Sequence, residues 1–265
     1  MYDFNYHRPR DLADAVRLRS AAEDGVFLAG GMTLIPTLRL RLASPSDVID
    51  ISGVDGLSDL EASAESVRVG ALVRHATVAV SADVKKRIPA LAALADGISD
   101  AQVRNRGTLG GSIANNDPAA DYPAAILALG ATVMTNKREI AADDYFTGLF
   151  DTALEADEIV TAARFPVAEA AAYAKFPNPA SRYALVGVFV ARIGGAVRVA
   201  VTGAGDQGVF RAPEMEKALA GNFAPDALNS VTVAADGLNS DLHAGAEYRA
   251  HLIGVMAKRA VAACA

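Results

Sequence analysis

The stretch TLGGS at residues 108–112 is the most informative feature of this chain, and a similar stretch, AGGMT, precedes it at residues 29–33. Each contains two adjacent glycines and ends in a small hydroxyl residue. Paired glycines let backbone N–H groups converge on one point, because no Cβ blocks the approach and positive φ is allowed. Converging N–H groups form a concave anion site, and a pyrophosphate needs two of them. The sequence therefore predicts a dinucleotide cofactor held between two loops.

The residues around the first stretch support this prediction. Residues 26–29 predict a buried strand that runs directly into the glycines, and the apolar spacing over residues 34–42 predicts a helix after them. Pro36 falls in the first turn of that helix, where a missing N–H costs little. A strand, a glycine turn and a helix in this order are the context that an anion-binding loop requires.

Acidic residues after the second stretch have two interpretations each. Asp117 and Pro118 are typical of the N-cap and the first residue of a helix that continues over residues 122–129, and we favour this structural role for Asp117. Asp121 lies in the first turn of that helix. Its carboxylate there either offsets the helix dipole or accepts hydrogen bonds from a ribose hydroxyl.

Other polar and aromatic residues are ambiguous as single positions. Asn115 and Asn116 favour a loop that lines a site rather than a strand. Tyr183 begins a predicted strand, where composition alone favours half-buried packing, although contact with an aromatic cofactor is the alternative. Lys175 precedes it near a proline-rich turn at residues 176–179.

The pattern along the chain predicts an α+β protein. The other predicted strands are residues 47–51, 66–70, 131–134, 158–160, 185–190 and 196–201, and the other predicted helices are residues 12–18, 88–98, 214–219, 227–235 and 247–263. Gly194 and Gly195 indicate a β-hairpin. We expect a cofactor domain at residues 1–167, split into two subdomains near residue 55, and a C-terminal domain of antiparallel strands and helices at residues 168–265.

The composition restricts the class of protein. Hydrophobic residues make up 52% of the chain, enough for a sizeable core, and no apolar run reaches the roughly 18 residues of a membrane span. The net charge of −6 disfavours nonspecific binding to nucleic acid. The N-terminal residues have neither the basic flank nor the apolar block of a signal peptide, so we expect a cytoplasmic protein.

Known catalytic and metal-binding patterns are absent from the sequence. The one cysteine, Cys264, excludes an all-cysteine metal or iron–sulfur site, and the histidines do not have zinc-ligand spacing. Neither the Rossmann motif GxGxxG after the first strand nor the P-loop motif is present. No nucleophile–base set or carboxylate pair indicates hydrolysis. We therefore expect no catalytic residues of the chain's own and assign any chemistry to a cofactor.

Taken together, residues 29–36 (AGGMTLIP) and 104–121 (RNRGTLGGSIANNDPAAD) resemble the FAD-binding medium subunits of molybdenum hydroxylases, the xanthine dehydrogenase superfamily. The resemblance is closest to the medium subunit of aerobic carbon monoxide dehydrogenase, and it continues through residues 241–244 and 247–252. It implies an FAD-binding fold of the vanillyl-alcohol oxidase type, with two α+β subdomains followed by a small C-terminal domain.

The resemblance also implies which residues bind a noncovalent FAD. It assigns both glycine stretches to the pyrophosphate, Asp121 to a contact with the cofactor, and Lys175 and Tyr183 to positions near the isoalloxazine ring. The implied cofactor-binding residues are Ala29, Gly30, Gly31, Met32, Thr33, Thr108, Leu109, Gly110, Gly111, Ser112, Asp121, Lys175 and Tyr183. Thr33 stands where many relatives have serine, and it keeps the hydroxyl donor.

Partner subunits follow from the same resemblance. In such complexes a small subunit carries two [2Fe–2S] clusters and a large subunit carries the molybdenum cofactor, in a dimer of heterotrimers. Electrons from substrate oxidation at molybdenum would reach FAD through the clusters and then pass to an external acceptor. The shortage of cysteine in this chain fits an arrangement in which the clusters are held elsewhere.

Two alternatives remain open from the residues. A free-standing flavin oxidase or reductase of the same fold would need its own substrate pocket and acid–base residues, of which the C-terminal domain offers little sign. A non-catalytic binding or assembly module that has lost its cofactor is the other alternative.

Overall fold

Four β-sheets and eleven α-helices form residues 1–264, which are the residues that a computed structural model of the chain describes. The three larger sheets use successive parts of the sequence, residues 5–50, 60–166 and 170–211. This mixture of sheets and helices agrees with the predicted α+β class.

The first sheet is parallel. Its strands are β1 (Asn5–His7), β2 (Gly25–Leu28) and β3 (Asp47–Asp50), in the order β1-β3-β2, and its helices are α1 (Leu12–Ala21) and α2 (Leu34–Arg39). Helix α1 begins where the Asp11 carboxylate accepts a hydrogen bond from the Asp14 backbone N–H at 2.8 Å, which satisfies one of the open donors of the first turn. The first glycine stretch connects β2 to α2, as predicted.

Helix α2 ends earlier than the predicted residues 34–42. Arg41 has a left-handed φ of 59°, and its N–H donates to the Leu38 carbonyl at 3.1 Å. The Leu42 N–H donates to the Thr37 carbonyl at 3.0 Å. These two bonds form a Schellman motif, which ends a helix. Because glycine usually occupies the left-handed position, the arginine there gave no signal in the sequence.

The second sheet is antiparallel. Its strands are β4 (Leu60–Ala62), β5 (Ser66–Gly70), β6 (Thr132–Thr135), β7 (Glu139–Ala141) and, after a small hairpin of β8 (Phe146–Gly148) and β9 (Asp151–Thr152), β10 (Val160–Pro166). The order is β4-β5-β10-β6-β7. Its helices are α3 (His75–Val80), α4 (Ala82–Arg87), α5 (Pro89–Asp96), α6 (Ala101–Arg104), α7 (Leu109–Asn115), α8 (Tyr122–Ala128) and α9 (Ala142–Tyr145).

Two predicted boundaries in this region are wrong. The strand predicted at residues 158–160 begins only at Val160, because the Ile159 N–H donates to the Asn136 side chain at 2.8 Å instead of to a neighbouring strand. Helix α8 does not begin with Asp117 as its N-cap. The Asp117 carboxylate accepts from the Ala119 N–H at 2.9 Å, an Asx turn that closes the chain before the helix starts.

The third sheet is an antiparallel meander. Its strands are β11 (Ala170–Pro177), β12 (Ala184–Ile193), β13 (Ala196–Gly205) and β14 (Gly208–Arg211), in that order. Gly194 and Gly195 form the predicted hairpin turn with φ of 57° and 79°, values that glycine adopts without strain.

Both faces of this third sheet are covered, which explains the unbroken apolar run in β12. Phe189 and Ala191 belong to the same core as the helices of the second sheet. Val188 and Val190 pack in a second core with the last two helices, α10 (Pro213–Gly221) and α11 (Ala246–Ala263). A strand buried on both faces carries apolar residues at every position rather than at alternate ones.

The helix predicted at residues 227–235 is wrong. A short 3₁₀ helix, Pro225–Leu228, is followed by irregular chain up to α11. Val231, Thr232 and Val233 are β-branched, so each loses rotamer freedom in a helix and lowers the local helix propensity. The apolar spacing of this segment reflects packing of Val231 and Val233 against the second core.

Candidate cofactor site

Both glycine stretches line one cavity of about 450 Å³, together with Arg182 and Tyr183 from the loop before β12. A cavity of this size is within the range of small-molecule and cofactor sites. The residues implied by the resemblance that line it are Ala29, Gly30, Gly31, Met32, Thr33, Thr108, Gly110, Gly111, Ser112, Asp121 and Tyr183. The structure thus brings together residues from three separate parts of the sequence.

Two of the implied residues do not line the cavity. Leu109 is fully buried in the core, and its N–H donates to the Val73 carbonyl at 3.1 Å. Lys175 does not reach the cavity surface, but it donates a hydrogen bond to Asp121, which does. Direct contact of either residue with a cofactor stays a prediction.

The first stretch offers a run of free backbone donors. Gly31 has a φ of 75°, the left-handed conformation for which a glycine was expected. Among residues 1–264, no protein group accepts a hydrogen bond from the N–H groups of residues 30–33. Successive free N–H groups at a turn before a helix form an anion site, which is the geometry expected for a phosphate cradle.

The two stretches touch each other, and the missing side chain of Gly30 allows it. A Cβ at Gly30 would overlap the Arg106 carbonyl oxygen. A Cβ at Gly111 would lie 3.7 Å from the Ala29 Cβ. The first stretch therefore packs directly on the chain that leads into the second one, and both face the same cavity.

The second stretch is not a turn, contrary to the prediction. It is the first turn of α7, and Thr108 is its N-cap, whose hydroxyl accepts from the Gly111 N–H at 3.2 Å. Gly110 is required for a different reason, because a Cβ there would lie 2.5 Å from the Ala71 Cβ. The Gly110 N–H donates to the Ala71 carbonyl at 2.8 Å. The two glycine pairs thus differ: the N–H groups of Gly110 and Gly111 are bonded within the protein, whereas those of the first stretch are free.

Asp121 is the centre of a buried polar cluster. Its carboxylate accepts from the Tyr173 hydroxyl at 2.5 Å and from Lys175 Nζ at 3.0 Å, and Lys175 also donates to the Gly97 carbonyl. Burial raises the pKa of Asp121, while Lys175 and Tyr173 oppose that rise. Neither predicted role of Asp121, at the helix dipole or at a ribose, includes these partners.

Tyr173 is a site residue that the sequence analysis missed. It lies two residues before Lys175 on β11, so both side chains point to the same face of the sheet. Strand β11 was not predicted from the sequence, so the spacing of two between these residues gave no signal. The partner of Tyr173, Asp121, is 52 residues away in the sequence, which no local pattern reports.

Tyr183 lines the cavity and is 46% exposed, which fits half-buried packing; its contact with an aromatic cofactor stays a prediction. The loop before it is held by Asn178, which is buried and whose side chain accepts from the N–H groups of Ala180 and Ser181. Arg182 has a left-handed φ of 61°. Burial, and then the carboxylates at positions 117 and 121, raise the pKa of Tyr183.

His75 and Glu158 also line the cavity and were missed. His75 is buried without a hydrogen-bond partner for Nδ1 in the described chain, and burial followed by the charge of Arg104 lowers its pKa to about 4. Burial opposes ionisation of Glu158, but hydrogen bonds from Arg138, the Glu155 N–H and Thr135 outweigh it and lower its pKa to about 2.

Asn116 does not line the cavity, although Asn115 does. Asn116 is buried with a left-handed φ of 43°, and its amide donates to the carbonyls of Gly148 and Asp151. It therefore ends α7 and holds the hairpin of β8 and β9.

Residues 1–264 contain no group of three or more histidine, cysteine or acidic side chains arranged to hold a metal ion. In the same residues, no helix is both long and apolar enough to cross a membrane.

A cleft with an unpaired run of N–H groups, hydroxyls at Thr33 and Ser112, and an aromatic edge at Tyr183 defines a protein of the dinucleotide-cofactor-binding class. The family model described as "FAD binding domain in molybdopterin dehydrogenase" matches residues 2–168. The chain belongs to this family, which confirms the resemblance found in the sequence.

Individual relatives match over nearly the whole chain. The nicotine 6-hydroxylase medium subunit of Paenarthrobacter nicotinovorans is 39% identical, covering 97% of this chain and 95% of that protein. The carbon monoxide dehydrogenase medium chain of Afipia carboxidovorans is 34% identical, with the same two coverages. A solved structure of carbon monoxide dehydrogenase from Hydrogenophaga pseudoflava superposes with a TM-score of 0.89 at 34% identity, covering 98% of this chain and 96% of that one.

Proposed function

We propose that this chain binds FAD noncovalently in the cleft and serves as the electron-transfer subunit of a molybdenum hydroxylase. The observation that carries the proposal is the run of free N–H groups at residues 30–33, placed in one cleft with the start of α7. These donors fit the pyrophosphate of a dinucleotide, and membership of the FAD-binding family specifies FAD.

Each part of the cleft has a role in this proposal. The first glycine stretch and the hydroxyls of Thr33 and Ser112 would hold the pyrophosphate. Asp121, fixed by Tyr173 and Lys175, would present one carboxylate in a constant position, and Tyr183 would lie at the open edge. When bound, FAD supplies the capacity to take up and release electrons, and the protein binds, orients and shields it.

The partner subunits belong to the proposal as well. Relatives of this chain are medium subunits of multi-subunit enzymes, so we propose an iron–sulfur subunit as electron donor and a molybdenum-cofactor subunit as the site of substrate oxidation. The dimer of heterotrimers and the cytoplasmic location stay predictions. No observation on the described residues favours the free-standing oxidase or the cofactor-free module.

We also propose that the cofactor domain ends near residue 167. Strand β10 ends at Pro166 and the third sheet begins at Ala170, while the family match ends at residue 168. The division near residue 55 falls between β3 and β4, where the first sheet gives way to the second.

A charge substitution in the cleft tests the proposed function. Gly111→Asp places a carboxylate at the pyrophosphate site, where a Cβ meets only the Thr108 hydroxyl at 3.0 Å and the Ala29 methyl. Repulsion should weaken FAD binding by about tenfold or more, equivalent to roughly 1.4 kcal/mol. Titration of the apo chain with FAD, followed by flavin fluorescence, measures the affinity.

Gly111→Asn is the matched control, because asparagine has the same size without the charge. It should retain more of the FAD affinity than the aspartate variant. Equal affinity of wild type and Gly111→Asp, with both chains folded by circular dichroism, would contradict a phosphate site at α7. A wild-type chain that takes up no FAD would contradict the proposed function itself.

A further inference from the structure

His75 adds a polar side chain to the cofactor cleft near the point where the two glycine stretches meet. It is the first residue of α3, its backbone N–H donates to the Gly107 carbonyl at 3.0 Å, and the residue lines the cleft. Its Nε2 atom lies against Gly107, since a Cβ on that glycine would be only 2.5 Å from Nε2. The imidazole therefore reaches the chain that leads directly into α7.

The first glycine stretch reaches the same glycine. A Cβ at Gly30 would lie 3.1 Å from the Gly107 Cα. The free N–H groups of residues 30–33 begin at this junction, and they line the same cleft as His75. A phosphate held by those N–H groups would therefore have the His75 ring as a neighbour.

The two ring nitrogens of His75 have different surroundings. Nδ1 is fully buried, and no group in residues 1–264 bonds to it, including the hydroxyl of Tyr122, whose ring centroid is 5.3 Å from that of His75. Nε2 has no protein partner in these residues either, but it is not among their sealed atoms. The residue is 5% exposed and lines the cleft, so the open surface of Nε2 belongs to the cleft.

These surroundings decide which nitrogen carries the proton of the neutral ring. Burial, and then the charge of Arg104, lower the pKa of His75 to about 4, so the ring is neutral at pH 7. An N–H at Nδ1 would be a buried donor without an acceptor, which costs free energy. A proton on Nε2 instead meets the cleft, where a ligand oxygen can accept it. His75 thus offers the cleft one neutral N–H donor.

The charges around the cleft permit an anion beside this donor. Two of the three acids that line the cleft, Asp121 and Glu158, are each bonded to a basic side chain. Burial raises the pKa of the third, Asp117, which opposes its charged form. Arg104 adds a positive charge behind the cleft wall, where its guanidinium donates to the carbonyls of residues 98 and 99. The field near His75 therefore favours an anionic ligand.

We propose that Nε2–H of His75 donates a hydrogen bond to a pyrophosphate oxygen of the bound dinucleotide, as a donor in addition to the two glycine stretches. His75 is not among the residues that the sequence resemblance implied. The proposal rests on the proposed function, because it requires FAD in the cleft.

Substitution of His75 by leucine and by glutamine tests the donor. His75→Leu fills similar space without a donor and should weaken FAD binding about tenfold, as expected for the loss of a hydrogen bond to a charged group. His75→Gln places an amide N–H near the position of Nε2, so its affinity should stay within about threefold of wild type. Titration of the full chain, freed of FAD, with FAD and detection by flavin fluorescence gives the affinities.

Two further measurements locate the contact. Tyr122→Phe is the matched control, because it alters the neighbour of His75 without altering a residue that lines the cleft, and it should leave the FAD affinity unchanged. Phosphorus NMR of the chain saturated with FAD reports the pyrophosphate directly. At least one phosphorus resonance should differ between wild type and His75→Leu, while the flavin absorption spectrum stays the same.

The outcomes distinguish this inference from the proposed function. A wild-type chain that takes up no FAD would overturn both. Equal FAD affinity of wild type and His75→Leu would overturn the role of His75 alone. Equal losses in His75→Leu and His75→Gln, or the same loss in Tyr122→Phe, would also overturn it, because repacking would then explain them. Unchanged phosphorus resonances with an altered flavin spectrum would overturn the contact with the pyrophosphate.

Discussion

At the scale of single residues, the cofactor site depends on positions where a side chain has no room. A Cβ at Gly30 would overlap the Arg106 carbonyl oxygen, which belongs to the backbone and cannot rotate away. The sequence identified Gly30 as important, but through backbone conformation. The structure gives close approach of two chain segments as the reason, and that reason requires knowledge of a neighbour 76 positions further along the chain.

Gly30→Ala should therefore separate the two glycine stretches. We expect a loss of about 1–3 kcal/mol in the free energy of unfolding, as for other overpacked sites, measured by urea denaturation. Gly254→Ala is the control, because a Cβ at Gly254 in α11 meets no atom within 4 Å and should be neutral or stabilising. Equal stability of wild type and Gly30→Ala would show that the close packing is not required.

The Asp121 cluster gives a second prediction at this scale. Lys175→Met removes the only cation that bonds to the buried Asp121 carboxylate within the described chain and should cost about 3 kcal/mol at neutral pH. The pKa of Asp121 is already raised by burial, and the loss of Lys175 raises it further. A folded pKa above the unfolded value gives stability at low pH that disappears as the pH rises.

The unfolding free energy of Lys175→Met should thus fall, relative to wild type, as the pH increases from acid to neutral. The double variant Lys175→Met with Asp121→Asn has no buried charge and should recover much of the loss. If the double variant is as unstable as the single one, the cost arises from lost packing of the lysine and not from the unpaired carboxylate.

At the scale of elements, the sequence predicted many helices and strands, missed others such as α7 and β11, and misplaced several ends. The α1 helix, the hairpin of β12 and β13, and the long α11 have signals within their own residues. The start of α8 depends on the hydrogen bond that the Asp117 side chain accepts from the backbone. The end of α2 depends on the left-handed conformation of Arg41. Neither feature is among the usual capping signals. Apolar spacing does not report such local bonds.

The hydrogen bonds that connect α7 to the hairpin of β8 and β9 can be tested by mutation. Asn116 ends α7 and donates two hydrogen bonds to the hairpin, to Gly148 at 2.9 Å and to Asp151 at 2.8 Å. Asn116→Gly keeps the left-handed conformation and removes both bonds. We expect a loss of about 1–3 kcal/mol and faster hydrogen exchange in residues 145–152.

Exchange in residues 184–205 serves as the internal reference for this variant, since the β12–β13 hairpin lies in a different sheet. Uniform acceleration in both regions would indicate global destabilisation instead of a local release of the β8–β9 hairpin.

At the scale of the whole molecule, the glycine stretches were enough to predict the cleft from the sequence. The residues of its inner wall could not be predicted in this way. His75 and Glu158 line this wall, and Tyr173 holds Asp121, which also lines it. Tyr173 is 52 residues from Asp121 in the sequence, and Glu158 is 20 residues from Arg138. A sequence pattern reports neighbours along a strand or helix, but it contains no information on burial at the meeting point of separate sheets. The walls of the cleft therefore required the folded structure.

The buried His75 makes the stability of the whole molecule depend on pH. Burial lowers its pKa to about 4, against 6.5 for the ordinary value, so the unfolded chain binds more protons between these limits. Stability is therefore complete above pH 6.5 and falls as the pH drops toward 4. The difference of about 2.5 pH units corresponds to roughly 3 kcal/mol. Urea denaturation at a series of pH values from 4.5 to 7 measures it.

His75→Gln keeps a polar side chain that does not titrate, and it should remove most of the pH dependence in this window, whatever its effect at pH 7. The exposed His243 provides the comparison: His243→Gln should leave the wild-type slope intact. Because Glu158 has a pKa of about 2 in the folded chain, its contribution is lost mainly below pH 4.5 and does not replace that of His75. If the unfolding free energy of His75→Gln depends on pH as strongly as that of wild type, the acid sensitivity arises from carboxylates. His75 would then be protonated without unfolding.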